Sequence, residues 1–290
     1  MIEVYNKALD SSIKVDRILG KIEGAEPGPT VVFFGGIHGN ETSGVFALKD
    51  ALACVNKTYV KGTIYGISGN LKALKKHIRF VQDDLNRLWT KLQIQKIKDK
   101  TVLNEDETEL LELLTVLEEI LKTNQPPFYF IDLHTTSSKT LPFITINDAL
   151  INRKFSEQFP VPIVLGIEEY LNGPLLSYIN KMGYVSLGFE SGQHDDFSAI
   201  TNSIAFVYLA LVYSGVLKEE AVINFKKYHE QLKEQANKNN TVFEVVYLHK
   251  IKKNERFKML NGFISFELIK KGTKLAMSNA VEIESPYDGS

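Results

Sequence analysis

Short apolar runs alternate with longer amphipathic stretches as far as about residue 215. The runs that read as strands are Thr30–Phe34, Gly62–Ile67, Phe128–Leu133, Phe143–Ile146, Ile163–Leu165 and Tyr184–Phe189. Between them, Thr42–Val55, Glu105–Lys122, Gly173–Met182 and Ser198–Ser214 read as helices. This alternation predicts an α/β fold with a mostly parallel or mixed sheet flanked by helices. Runs as apolar as TVVFF and FYFIDL fit strands covered on both faces. After a last helical stretch, Lys218–Asn237, the pattern becomes a two-residue alternation in FEVVYLHKI, GFISFELI and KLAMS, punctuated by NG and KG turns. The expectation is an α/β unit over residues 1–238 and a small β domain over 239–290. Its SPYDGS ending predicts a missing closing strand, as in a piece of a longer parent.

Charge narrows the partners. The 290 residues carry 34 Lys and Arg against 35 Asp and Glu, so no global basic field draws in nucleic acid or an anionic membrane. No apolar run reaches 18 residues, and the first residues lack a basic stretch followed by an apolar one, which makes a cytoplasmic location the expectation. Cys54, the single cysteine, cannot form an internal disulfide and is expected to be a small buried side chain.

Four segments carry candidate chemistry. GGIHGNE, residues 35–41, lies between a predicted strand and a predicted helix, which places His38 and Glu41 at the carboxyl end of a strand, where open α/β sheets bind ligands. An imidazole and a carboxylate three residues apart can converge on one ion; a solvated polar turn is the alternative. DLHTTSS, residues 132–138, ends another apolar run; two-residue periodicity puts Asp132 and His134 on one side, so the aspartate can orient the histidine. His134 reads either as a structural histidine or as the third member of a His, Glu, His zinc set. GFESG, residues 188–192, offers Glu190 at a third strand end, as a proton acceptor beside a metal site or as a surface acid in a turn. In RFVQDDLNRLW, residues 79–89, Arg79, Asn86 and Arg87 suit carboxylate recognition and carbonyl polarisation, or else pair with Asp83 and Asp84.

Taken in order from about Val31 to Asp196, HGNE, R(x6)NR, DLH followed by Thr and Ser, and FESGQHDD resemble the succinylglutamate desuccinylase and aspartoacylase family, a branch of the zinc carboxypeptidase fold. The resemblance implies a zinc-carboxypeptidase-like mixed sheet and one Zn2+ per chain held by His38, Glu41 and His134. It implies Glu190 as catalytic acid and base acting on metal-bound water, Arg79 polarising the scissile carbonyl, and Asn86 with Arg87 gripping the substrate α-carboxylate. Asp84 matches the acid that orients His38. The implied activity is hydrolysis of the amide bond in a small N-acyl amino acid or related carboxylate-bearing amide. One departure is that residues 155–189 contain no arginine, whereas aspartoacylases hold the aspartate side chain with one there; Lys181 and Lys139 are the cations nearby. A carboxypeptidase acting on peptides and a non-catalytic metal-binding protein are the alternatives, and the oligomeric state stays open. Among the other histidines, His194 is expected near the site as a support or substrate contact. His77 is expected to flank a loop, with His229 and His249 facing solvent from a helix and a strand. Tyr287 reads as an exposed turn residue or as one reaching the site.

Overall fold

The β-branched and aromatic residues that dominate the predicted strands do form a sheet buried on both faces. A computed structural model describes the backbone of residues 1–290 and all side chains except those of residues 168 and 169. The strands are β1 (Ile2–Asn6), β2 (Ser11–Val15), β3 (Ile18–Glu23), β4 (Glu26–Gly35), β5 (Lys61–Ser68), β6 (Phe128–Thr136), β7 (Phe143–Ile146), β8 (Ile163–Leu165), β9 (Val185–Gln193), β10 (Val242–Glu244), β11 (Phe257–Met259), β12 (Lys274–Ser278) and β13 (Val281–Glu284). Eight of them make one sheet in the order β10-β8-β7-β9-β6-β4-β5-β3. The pairings β4·β5, β4·β6, β6·β9, β7·β8 and β8·β10 are parallel, whereas β3·β5 and β7·β9 are antiparallel.

The helices are α1 (Ser43–Ala53), α2 (Leu71–Lys76), α3 (Lys91–Lys98), α4 (Glu105–Thr123), α5 (Leu150–Ser156), α6 (Ile167–Tyr170), α7 (Leu175–Asn180), α8 (Phe197–Tyr213) and α9 (Phe225–Gln235). One face of the sheet packs Ile131, Leu133 and Phe189 against Leu48 of α1 and Phe206 of α8. The other packs Val32, Phe34 and Phe130 against Leu113 and Leu117 of α4 and Leu175 and Ile179 of α7. Burying apolar side chains on both faces is the main favourable term for such a layered fold. No helix among the described residues is long and apolar enough to cross a membrane.

Several expectations are corrected. Lys218–Asn237 is not one helix: a short 3-10 turn, Glu219–Ala221, precedes α9, and Asn224 between them takes a left-handed φ of 62° that interrupts the helix. FEVVYLHKI supplies only β10, which joins the large sheet beside β8 rather than the C-terminal sheet. GFISFELI forms no strand, because Gly262 and Phe266 adopt φ of 105° and 65°, outside the extended region. The small sheet is instead β11-β12-β13. Cys54 is exposed at the end of α1 rather than buried.

Two local devices set the loops at the carboxyl edge of the sheet. Gly36 takes φ 75°, and a side chain on Gly39 would run into the backbone of Ala73 at 2.1 Å, so the GGIHGNE turn requires glycine at both points. Asp106, fully buried in the first turn of α4, accepts hydrogen bonds from Asn70 Nδ2 at 2.6 Å and from the amides of Val81, Gln82 and Asp83 at 3.2, 2.6 and 2.9 Å. It thereby fixes the segment between Arg79 and Asp84. Asp106→Ala leaves these donors without a charged acceptor and is expected to lower stability by about 3 kcal/mol, since each bond to a charged group contributes roughly 1.5–3. Urea denaturation measures this, and a loss under about 1 kcal/mol would contradict the assigned role.

Candidate metal centre

Three strand ends converge at this edge. His38 and Glu41 follow β4, His134 lies on β6, and Glu190 on β9 stands in register with His134 on the neighbouring parallel strand. Glu41 bridges the two imidazoles: His38 Nδ1 is 2.8 Å from its Oε1, and His134 Nδ1 is 3.0 Å from its Oε2. The donor atoms of His38, Glu41 and His134 lie within 4.8 Å of one another. Separations near 3 Å are those expected between ligands about 2 Å from one shared tetrahedral ion.

Each imidazole is held from behind by a second carboxylate. His134 Nε2 lies 2.7 Å from Asp132 Oδ2, and His38 Nε2 lies 3.1 Å from Asp84 Oδ1. Donating Nε2–H to these acids leaves both Nδ1 atoms directed at the common centre, an arrangement that fixes tautomer and ring orientation. Thr135 N–H donates to Glu41 Oε2 at 3.0 Å. The donor set therefore fits a borderline-soft divalent ion such as zinc, with nitrogen and oxygen ligands and their supports all in place.

Burial and charge pull against each other here. For Glu41, burial opposes ionisation, but the hydrogen bonds and charges of His134 and His38 hold its carboxyl well below the usual range. Burial likewise works against protonated His134, yet the Asp132 charge and hydrogen bond and the nearby Glu41 raise it well above an ordinary imidazole. His38 is raised in the same way by Asp84 and Glu41, against burial. Asp84 is lowered, again against burial, by His38 and the Arg79 and Arg87 guanidiniums. Glu190 behaves differently: burial pushes its carboxyl up to about 8, and its Oε2 is buried with no hydrogen-bond partner. A buried, unpartnered carboxylate oxygen beside three converging donors is a group awaiting a partner.

The remaining expected residues divide in two. Arg79 reaches the centre, with Nη1 3.3 Å from Glu41 Oε1 and Nη2 3.3 Å from Asp84 Oδ2. Asn86 and Arg87 sit on the short 3-10 turn Leu85–Arg87, capped by Asp84 Oδ1 accepting from Asn86 N–H at 3.0 Å. Asn86 Oδ1 accepts from Leu175 N–H at 2.9 Å, which docks this turn onto the start of α7, and Arg87 Nη1 donates to the Asn86 carbonyl at 2.7 Å. His194 is at the rim: its Nδ1 lies 2.7 Å from Thr135 Oγ1, and burial lowers its pKa. His77 caps α2 in a left-handed conformation and is exposed. His229 lies on α9, while His249 lies outside any strand and hydrogen-bonds Glu255 at 3.0 Å. Tyr287 is 53% exposed, and Lys139 and Lys181 are also exposed. Asp106 is a support residue that no motif marked, and Thr135, inside the DLHTTSS motif, takes a supporting role that the motif did not specify.

The succinylglutamate desuccinylase/aspartoacylase catalytic-domain family model matches residues 27–207, which contain His38, Glu41, Arg79, Asp84, His134 and Glu190. No curated protein sequence matches the chain. Among solved structures it is similar to the ectoine utilization protein EutE (DoeB) from Ruegeria pomeroyi in a product-bound form, at 18% identity, TM-score 0.67, covering 93% of this chain and 81% of that one. A succinylglutamate desuccinylase/aspartoacylase from Rhodobacter sphaeroides gives the same figures. The succinylglutamate desuccinylase from Vibrio cholerae is similar at 13% identity and TM-score 0.64, covering 100% of this chain and 84% of that one. Likeness at this identity establishes the shared mixed α/β fold, and the family match over more than half its length establishes that the chain belongs to the succinylglutamate desuccinylase/aspartoacylase family of hydrolases.

Proposed function

We propose that the chain is a zinc-dependent amidohydrolase that cleaves the amide bond of an N-acyl amino acid or a similar small carboxylate-bearing amide. One zinc per chain is held by His38, Glu41 and His134. The observation that carries this reading is the buried, unpartnered Glu190 carboxylate beside that donor set. Bound there, zinc would supply Lewis acidity for the scissile carbonyl and would bring the pKa of water toward about 7.

The protein's own groups do the rest. Glu190 takes a proton from the attacking water and returns it to the leaving amine nitrogen, a role suited to a carboxyl displaced toward neutral pH. Arg79 turns from its two acids to donate to the oxyanion as the carbonyl becomes tetrahedral. Arg87 and the Asn86 side-chain NH2 bind the substrate carboxylate, while the Asn86 oxygen stays on Leu175 N–H and keeps the turn in place. Asp84 and Asp132 keep the imidazoles aimed, and His194 borders the site through Thr135.

Glu190→Gln is expected to keep zinc but lose activity by about 10³-fold, within the range that general acid–base catalysis supplies. Release of free amine from N-acetyl and N-succinyl amino acids, read beside zinc content, tests this; near-normal turnover removes Glu190 from the chemistry. His134→Ala is expected to purify without metal, and full zinc occupancy in that variant rejects the ligand assignment. The pH dependence of binding has a defined sign. Without metal, His38 and His134 keep their protons to higher pH than ordinary imidazoles, and a zinc ligand must be neutral. Zinc affinity in a chelator competition is therefore expected to weaken steadily as pH falls from about 8 to about 6, with proton release on binding. A pH-independent affinity would contradict ligation by these two histidines.

A further inference from the structure

The strands β1 and β2 pair with each other in a sheet of their own, and residues 1–26 lie ahead of the stretch that matches the family. Asn6, the last residue of β1, is nonetheless buried. Its Nδ2 donates to Thr42 Oγ1 at 3.0 Å, and its Oδ1 accepts from Leu9 N–H at 3.1 Å across the hairpin turn. Thr42 is buried as well and follows the metal donor Glu41 directly in the chain. It stands where a capping side chain normally accepts from an amide of the first helical turn, yet its hydroxyl makes no such bond to α1. Its backbone is already helical, at φ −80° and ψ −15°, which leaves the hydroxyl to Asn6.

The next residue of the hairpin reaches the opposite loop. Lys7 Nζ lies 3.0 Å from Asp195 Oδ2, one residue beyond His194. His194 Nδ1 meets Thr135 Oγ1 at 2.7 Å, and Thr135 N–H donates to Glu41 Oε2 at 3.0 Å. These four contacts, joined by the peptide links between residues 6 and 7, 41 and 42, and 194 and 195, make a closed ring. Glu41 is thereby held at its carboxylate from one side and at its backbone from the other. The two contacts that the hairpin supplies are unequal. Lys7 and Asp195 are exposed, and such a pair contributes little. The Asn6–Thr42 bond is buried, so breaking it leaves a polar atom with neither water nor partner.

We propose that Asn6 is a positioning residue for the metal centre, and that the N-terminal hairpin is a clasp keeping the Glu41 carboxylate where a metal ion needs it. This rests on the reading of His38, Glu41 and His134 as zinc ligands. Glu41 lies between the glycine-rich turn, where Gly36 takes φ 75°, and the start of α1, so a backbone anchor at Thr42 restrains a segment that glycine leaves mobile. Groups that orient metal ligands from outside ordinarily change metal affinity by about 10–100-fold, and a group acting through the neighbouring residue belongs at the low end. The apolar attachment of the hairpin is a separate contact: Val4 of β1 and Val15 of β2 enter the core on the α1 side of the sheet.

Zinc affinity, from chelator competition at one pH, is the first readout. Asn6→Ala is expected to weaken it about tenfold, and so is Thr42→Val, which removes the hydroxyl while keeping the shape. The double variant is expected to be no weaker than either single one, because both changes break the same bond; losses that multiply to about a hundredfold overturn the inference. Val4→Ala controls for simple loosening of the hairpin. It is expected to lower stability to urea while leaving zinc affinity within about twofold, and a tenfold loss in this variant also overturns the inference. If Asn6→Ala does not fold, Thr42→Val against Val4→Ala decides the same question. The second readout needs no metal. Hydrogen exchange of the Thr135 amide in the metal-free full-length chain is expected to quicken about tenfold in Asn6→Ala, while amides at the centre of β6, such as Ile131, follow global stability alone. If the unaltered chain takes up no zinc yet Thr135 exchange responds in this way, the zinc reading fails and the clasp stands. If zinc binds and Asn6→Ala changes neither affinity nor Thr135 exchange, the clasp fails and the zinc reading stands.

Discussion

Asp132, His134, Glu41, His38 and Asp84 form one unbroken chain of hydrogen-bonded ionisable groups, and the architecture of the sheet edge follows from the need to satisfy it. Isolated charges buried in a protein interior are costly, and removing one member of a buried pair strands the other. Alternating acid and imidazole along the chain gives every charge an opposite neighbour on each available side. That requirement explains why the GGIHGNE turn packs against α2 without side chains at Gly36 and Gly39, and why buried Asp106 gathers the amides of residues 81–83. Each device holds one link of the chain at bonding distance.

Glu190 stands just outside this network, and its isolation has a physical origin. Parallel β6·β9 pairing brings it beside His134, while antiparallel β7·β9 pairing puts an aromatic ring on its other flank. The change from parallel to antiparallel neighbours at β9 therefore separates a polar, charge-balanced half of the site from an apolar half. A carboxyl at that boundary is desolvated by one side and attracted by the other, a position in which its proton is readily moved.

Much of this was legible in the sequence, and the reasons for the exceptions are physical. All six strands expected from apolar runs exist, because a doubly covered strand has to be apolar along its whole length. The motif residues His38, Glu41, His134, Glu190, Arg79 and Asp84 converge because each occupies a strand end or a loop tied to one. Helices α2, α3, α5 and α6, of four to eight residues, were missed since one or two turns cannot display a helical period. The half-exposed β1, β2 and β3 gave too little apolar signal. Asp106 was hidden in NEDE, whose acids read as a solvated helix start, although this one points inward. GFISFELI alternates like a strand, and only the left-handed backbone at Phe266 shows that its rings serve a tertiary contact.

The placement of β10 has a consequence for the whole sheet. Its three residues, Val242–Glu244, pair with β8 and so form one margin of the eight-stranded sheet, covering the apolar Ile163–Leu165 segment. Exposed apolar margins recruit strands from other molecules, and a very short terminal strand is one of the ways proteins discourage this. The segment that follows carries Phe266, whose ring rests on Phe243 of this same short strand, so loosening it would free an aromatic contact and expose a sticky border together.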